Sequence, residues 1–127
     1  MSADITSKMT ISDAVIKKIQ SALKIPETGG ILGVKNNVVS EFHHDSTGLT
    51  TERNYIPDVD SLNAVLRDWK RRGIDFVGFV HSHHANKKNL SKLDIKYAQK
   101  IKNHCGLSEI LMIIYLPNDR TIHQYVL

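Results

Sequence analysis

Residues 74–80 constrain the fold more than any other segment, because they are almost entirely apolar and lead directly into His81-Ser82-His83. A strand of this composition is typically buried on both faces, which places it at the centre of a sheet that other elements cover. Residues two apart on a strand point to the same side, about 6.5–7 Å apart along it. We therefore predict that His81 and His83 face one site and that Ser82 points away from it.

Hydrophobic periodicity and turn residues divide the rest of the 127-residue chain into helices and strands of one domain. The predicted helices run from Ser12 to about Lys24, from Asp60 or Ser61 to Gly73, and from Ser91 to Gly106. The predicted strands are residues 29–35, 38–43, about 49–56, 74–80, 108–116 and 121–127. This order predicts a single α/β (α+β) domain, in which about three helices flank a mixed, mostly antiparallel β-sheet.

Asp94 is the third residue that points to a metal. In the third predicted helix, Asp94, Ala98, Ile101 and Cys105 lie at i, i+4, i+7 and i+11, so Asp94 is expected to face inward and Cys105 to pack in the core. The helix dipole favours a carboxylate in the first turn. Two histidines and one carboxylate form a three-ligand set for catalytic zinc that leaves a fourth position for water. Iron, nickel or cobalt could occupy the same donor set in vitro.

Two more residues would complete a hydrolytic site. Glu27 directly precedes a glycine-rich stretch over residues 29–33, and a glutamate that is not a ligand often serves as the base in zinc hydrolases. Ser91 lies three residues before Asp94, and Ser-x-x-Asp is also close to a helix capping box. Each residue alone has a structural explanation, but the combination favours a zinc-dependent hydrolase.

This combination resembles the JAMM metalloproteases, also called the MPN-plus or JAB1 family. Their pattern is an upstream Glu, then His-Ser/Thr-His, about seven residues, and Ser-x-x-Asp. Here the pattern is Glu27, then His81-Ser82-His83, seven intervening residues, and Ser91-Lys92-Leu93-Asp94. The predicted element order is also similar over nearly the whole chain. The resemblance thus implies one JAMM/MPN-plus domain over residues 1–127, with a JAB1/MPN-like architecture related to that of cytidine deaminases.

Two positions depart from the pattern. Family members often carry proline directly after the second His and directly before the Ser, where this chain has His84 and Leu90. Without these prolines the loop between the ligands is expected to be less rigid, and His84 is a minor candidate for an alternative or additional ligand.

The resemblance implies a zinc-dependent isopeptidase or peptidase that hydrolyses the amide bond after the C-terminal glycine of ubiquitin or a ubiquitin-like protein. A related possibility is a peptidase that trims a sulfur-carrier protein to expose its Gly-Gly end. By resemblance, His81, His83 and Asp94 hold Zn²⁺, Glu27 is the general base, and the Ser91 hydroxyl donates to the developing oxyanion.

Two other functions compete with the peptidase. One is a catalytically silent MPN scaffold that only binds partners, although silent members typically lose ligands that this chain retains. The other is a zinc deaminase, which needs a downstream Cys-x-x-Cys that a chain with one cysteine lacks.

The net charge of the chain indicates which partners it can bind, and its cysteine content indicates its cellular compartment. The net charge is +4 and the pI about 9.2, and the basic runs at 70–72 and 87–88 favour a solvated surface, with an acidic protein partner or weak nucleic-acid attraction as alternatives. The expected partner is a ubiquitin-like protein with a Gly-Gly tail rather than nucleic acid or a membrane. One cysteine, no secretion signal and no apolar run long enough for a bilayer predict a cytoplasmic protein.

Overall fold

One mixed sheet of six strands dominates the part of the chain that the computed structural model describes: residues 10–23, 28–46, 49–50, 55–56, 58–83, 87 and 89–127. The strands are β1 (Thr10–Ile11), β2 (Gly29–Lys35), β3 (Val38–His44), β4 (Leu49–Thr50), β5 (Tyr55–Ile56), β6 (Asp75–Ser82), β7 (Leu111–Leu116) and β8 (Thr121–Val126). The helices are α1 (Asp13–Ala22), α2 (Val59–Arg71) and α3 (Lys92–His104). Strands β4 and β5 pair with each other in a second, smaller sheet.

The strand order in the large sheet is β1-β3-β2-β6-β7-β8. The pairs β1–β3 and β6–β7 are parallel, and the other three pairs are antiparallel. These pairings confirm the predicted α+β domain with a mixed, mostly antiparallel sheet and three helices. Strand β6 lies between β2 and β7, as its apolar sequence predicts.

Helices cover both faces of the sheet. The buried cluster on one face includes Val15 and Ile19 of α1 together with Val80 of β6. The cluster on the other face includes Trp69 of α2 and Ala98 of α3, and Phe79 of β6 belongs to it. Neighbouring residues of β6 thus pack on opposite faces of the sheet. Because both faces are covered by apolar side chains, the sequence of this strand is apolar almost throughout.

Each helix begins at a polar cap. Ser12 Oγ accepts a hydrogen bond from the amide of Val15, and Asp58 Oδ1 accepts one from the amide of Ser61. These side chains satisfy amides that the first turn of a helix leaves without a partner. Helix α2 is followed by Gly73 at φ 73°, a left-handed conformation that favours glycine and turns the chain into β6.

Two glycines let β6 lie close to its surroundings. At Gly78, an added Cβ would meet the carbonyl of Leu111 in the neighbouring strand. At Gly33, where the pairing of β2 with both neighbours shifts register, a Cβ would lie 2.9 Å from Cζ3 of Trp69. A larger residue at either position would displace a neighbour of the strand that carries His81.

The structure corrects two expectations and adds one strand. The predicted single strand over residues 49–56 is wrong, because Leu49–Thr50 and Tyr55–Ile56 are two separate strands that pair antiparallel with each other. Strand β1 was not predicted, since two residues are too short to show a periodicity. Cys105 is exposed rather than packed in the core, because α3 ends at His104 and Gly106 turns the chain away.

None of the helices formed by the described residues is both long enough and apolar enough to cross a membrane.

Candidate metal centre

Three side chains converge where β6 ends and α3 begins. Nε2 of His81 lies 2.8 Å from Nε2 of His83, and each of these nitrogens lies 3.3 Å from Oδ2 of Asp94. One ligand atom from each residue falls within 4.8 Å of the other two, so the group could hold a metal ion. The predicted convergence of the two histidines with the helix-start carboxylate is therefore confirmed.

The chain topology produces this convergence. Phe79 packs in the core between the sheet and the helices α2 and α3, so His81, two residues later, faces the same side. Helix α3 connects the parallel neighbours β6 and β7, and such a crossover starts near the carboxyl end of the first strand. Ala98 is fully buried, and Asp94 precedes it by four residues on the same helix face.

The spacing of the three atoms fits a tetrahedral metal. Ligands about 2.0–2.1 Å from a tetrahedral zinc ion lie about 3.3 Å apart. The two nitrogen–oxygen distances of 3.3 Å match this value, and the nitrogen–nitrogen distance of 2.8 Å is slightly shorter. The side chains of His81, His83 and Asp94 are only 5%, 6% and 17% exposed. A shared cation could bind all three of these largely buried polar groups at once.

A backbone carbonyl sets the orientation of the second histidine. Nδ1 of His83 lies 2.7 Å from the carbonyl oxygen of Lys87. Because a carbonyl only accepts hydrogen bonds, Nδ1 carries the proton and donates it. In the neutral ring the lone pair is then on Nε2, the nitrogen nearer to Asp94, and this is the tautomer that a metal ligand would require. The sequence contains no signal for this contact, since any residue offers a carbonyl.

The electrostatics of the site favour an ionised carboxylate. Burial by itself raises the pKa of Asp94, but hydrogen bonding to His81 and His83 and the Ser91 amide outweigh it. The pKa of Asp94 is therefore held well below its usual value. An ionised Asp94 supplies the negative charge that a divalent cation would need from this donor set.

Ser91 and Asp94 form a capping box at the start of α3. Ser91 Oγ accepts from the amide of Asp94 over 3.0 Å, and Asp94 Oδ2 accepts from the amide of Ser91 over 2.9 Å. The capping interpretation of Ser91 is thus confirmed. The bond to the Asp94 amide uses a lone pair of Ser91 Oγ, so the hydroxyl proton itself can still be donated elsewhere.

Ser82 joins the end of β6 to the start of β2. It is completely buried, its amide donates to the carbonyl of Thr28 over 2.9 Å, and its Oγ accepts from the amide of Thr28 over 3.0 Å. The sequence predicts that Ser82 points away from the site of His81 and His83, but it does not predict the contact with Thr28. The available signal was a serine at the end of an otherwise apolar strand, because a buried hydroxyl needs a partner.

The structure leaves two predicted residues untested. Glu27 and His84 lie outside the described residues, and their roles stay predictions. Thr28 follows Glu27 in the sequence, and the next residue, Gly29, pairs with His81 in the sheet. The described part of β2 therefore starts directly beside a metal-site residue.

Three comparisons relate the chain to known proteins. The family described as prokaryotic homologs of the JAB domain matches residues 13–123. No curated protein matches the sequence. The solution structure of protein DSY2949 from Desulfitobacterium hafniense is similar with a TM-score of 0.70 at 15% identity, covering 94% of this chain and 82% of that one.

A second solved structure, the crystal structure of AF2198 from Archaeoglobus fulgidus, is described as a JAB1/MPN domain protein. Its TM-score is 0.55 at 19% identity, and the match covers 92% of this chain and 88% of that one. At these identities the two structures establish the fold alone.

Proposed function

Because the chain belongs to the family of prokaryotic homologs of the JAB domain, we propose that it is a zinc-dependent isopeptidase or peptidase. Its reaction is hydrolysis of the amide bond after the C-terminal glycine of a ubiquitin-like protein, a sulfur-carrier protein included. The observation that carries the proposal is the convergence of His81, His83 and Asp94 on one buried site. A scaffold without activity has no need for three ligand atoms that converge at these distances.

The donor set supports zinc as the metal. Two imidazole nitrogens and one carboxylate oxygen suit zinc, and three protein ligands leave one coordination position open for chemistry. A bound zinc ion lowers the pKa of a coordinated water toward neutrality and polarises the carbonyl that is attacked.

Glu27 is proposed as the general base. Its carboxylate takes the proton from the attacking water and passes it to the leaving amine. The position of Glu27 in the sequence supports this role, because it lies only two residues before Gly29, which pairs with His81. The contact between Ser82 and Thr28 holds the next residue of this segment against the end of β6.

Ser91 is proposed to donate a hydrogen bond to the carbonyl oxygen as it becomes negative. Ser91 is exposed at the start of α3, and its amide contacts the same Asp94 oxygen that faces both histidines. A donor in this position contributes most when charge develops, which raises the rate rather than the affinity.

Metal content combined with cleavage tests the proposal. Protein purified without added metal is expected to contain one zinc per chain by elemental analysis, and to cleave some members of a panel of fusions that carry a Gly-Gly junction. His83→Ala should lose both zinc and activity, whereas His84→Ala should keep both. Loss of zinc in His84→Ala but not in His83→Ala would show that His84, and not His83, is the ligand. Stoichiometric zinc without cleavage of any fusion would contradict the peptidase and favour a binding scaffold.

A further inference from the structure

The positive charge of the chain is concentrated in one segment. Residues 87–104 contain six lysines and one acidic residue, which gives +5, more than the +4 of the whole chain. The remaining residues together are therefore close to neutral. Most of this segment is α3, the helix that supplies Asp94 to the metal centre.

Three of these lysines form a row on the exposed face of α3. Lys92, Lys96 and Lys100 are exposed and follow one another at intervals of four, so they are neighbours along the helix surface. Like charges at this spacing repel each other and weaken the helix. Within the part of the chain that the structure describes, none of the three forms an ion pair, in contrast to Arg71 and Arg72 of α2. The row therefore does not stabilise the fold.

Apolar side chains flank the lysine row. Leu93 is 57% exposed and Ile95 is 39% exposed, and among the described residues these are the large hydrophobic side chains that stand out into solvent. Ile95 lies three residues after Lys92, and Leu93 lies three residues before Lys96, so each is a surface neighbour of a lysine. The lysine row therefore has exposed apolar area on both sides, which a partner protein could bury.

We propose that the α3 face, defined as Lys92, Leu93, Ile95, Lys96 and Lys100, docks an acidic surface of the ubiquitin-like substrate protein. The inference rests on the proposed function and specifies its substrate: a protein whose folded part is acidic near the Gly-Gly tail. Lysines that form no ion pair within the described part of the chain attract such a surface over a distance and speed productive encounter.

The position of the α3 face suits this role. Leu93 and Ile95 are the neighbours of Asp94 in the sequence, and Lys100 lies six residues, or about 9 Å, further along the helix axis. An extended tail of four residues spans about 13 Å. A folded domain held on the α3 face could therefore present its tail to the metal centre without unfolding.

The composition of the face favours a protein over nucleic acid. The α3 face itself consists of lysines and aliphatic residues, α3 contains no arginine, tryptophan or phenylalanine, and its one tyrosine, Tyr97, is half-buried. Single-stranded nucleic acid is typically bound through aromatic stacking, and base-specific contacts to duplexes commonly use arginine.

The test compares two charge reversals on two substrates. Lys96→Glu/Lys100→Glu reverses the α3 face, and Lys17→Glu/Lys18→Glu makes the same charge change at exposed positions of α1. One substrate is a fusion of a ubiquitin-fold protein of negative net charge ending in Gly-Gly, and the other is a short peptide with the same tail and leaving group. For the α3 variant we expect KM on the fusion to rise about tenfold at low salt, with little change in kcat. Turnover of the peptide, and both activities of the α1 variant, should stay near the wild-type values.

The other outcomes distinguish failure of the docking surface from failure of the peptidase. Equal losses on fusion and peptide would show that the substitutions damage the metal centre. No loss on either substrate, or equal effects of both variants on the fusion, would place docking elsewhere and leave the peptidase intact. If the wild type cleaves neither substrate, the proposed function fails. Binding of the acidic protein to the zinc-loaded wild type, lost only in the α3 variant, would then support the docking surface alone. Tighter binding of a DNA duplex, lost in the same variant, would replace the protein partner with nucleic acid.

Discussion

Asp94 and Ser91 hold each other through two hydrogen bonds, and the Asp94 oxygen that accepts from the Ser91 amide also lies 3.3 Å from both histidines. The capping box thus does more than start α3. It fixes the rotation of the carboxylate that faces both histidines, so that helix stability and the geometry of the candidate metal site depend on the same pair of residues.

Replacing Ser91 separates its cap from its proposed catalytic role. Ser91→Ala removes the side-chain acceptor of the Asp94 amide and should cost about 1 kcal/mol of stability, whereas glycine at an N-cap costs only a few tenths. Loss of an oxyanion donor should slow cleavage by about 10²–10³-fold in both variants, with zinc retained. Melting temperature, zinc content and kcat give the three readouts. Full activity in Ser91→Gly would exclude the oxyanion role and show that Ser91 acts only as the helix cap.

Replacing Asp94 should empty the metal site. Asp94→Asn keeps the size of the side chain and an oxygen that can cap the helix, but it loses the negative charge that offsets a divalent cation. We expect zinc to fall to trace levels in elemental analysis and cleavage to disappear. Asp60→Asn, a matched change of an exposed acid in the first turn of α2, should keep both. Normal zinc in Asp94→Asn would show that the carboxylate is not a ligand.

Glu27→Gln should separate metal binding from catalysis. The amide is close in size to the carboxylate but cannot accept the proton of the attacking water, so turnover should vanish while zinc stays at one per chain. Glu41→Gln is the control. Glu41 lies on β3, 3.7 Å from Arg72, and this variant should retain activity. Near-normal rates in Glu27→Gln would make Glu27 a structural residue and place the base elsewhere.

Ser82→Ala should destabilise the junction of β2 and β6. The amide of the half-buried Thr28 loses its hydroxyl acceptor, which should cost about 0.5–1.5 kcal/mol. Denaturant or thermal unfolding measures the loss. Ser21→Ala, which removes the exposed bond from the Ser21 hydroxyl to the Lys17 carbonyl, should change stability much less. Equal effects of the two substitutions would show that the contact with Thr28 contributes little.

Much of the fold and of the metal site follows from local patterns. The alternation of strand residues predicts that His81 and His83 share a side, and the helical stripe that includes Ala98 predicts that Asp94 faces inward. Both predictions need only the backbone period and the burial of neighbouring apolar residues. For the same reason the three helices and the long strands of the large sheet were predicted close to their observed positions.

The contacts that complete the site depend on the tertiary structure. The carbonyl of Lys87 that orients His83, and the amide of Thr28 that meets Ser82, are backbone groups that every residue carries, so no residue type marks them. The pairing of β4 with β5 and the exposure of Cys105 likewise depend on which segments meet and on where a helix ends. Local periodicity determines which way a side chain points from its own element. Only the packing of distant elements determines which backbone group it meets there.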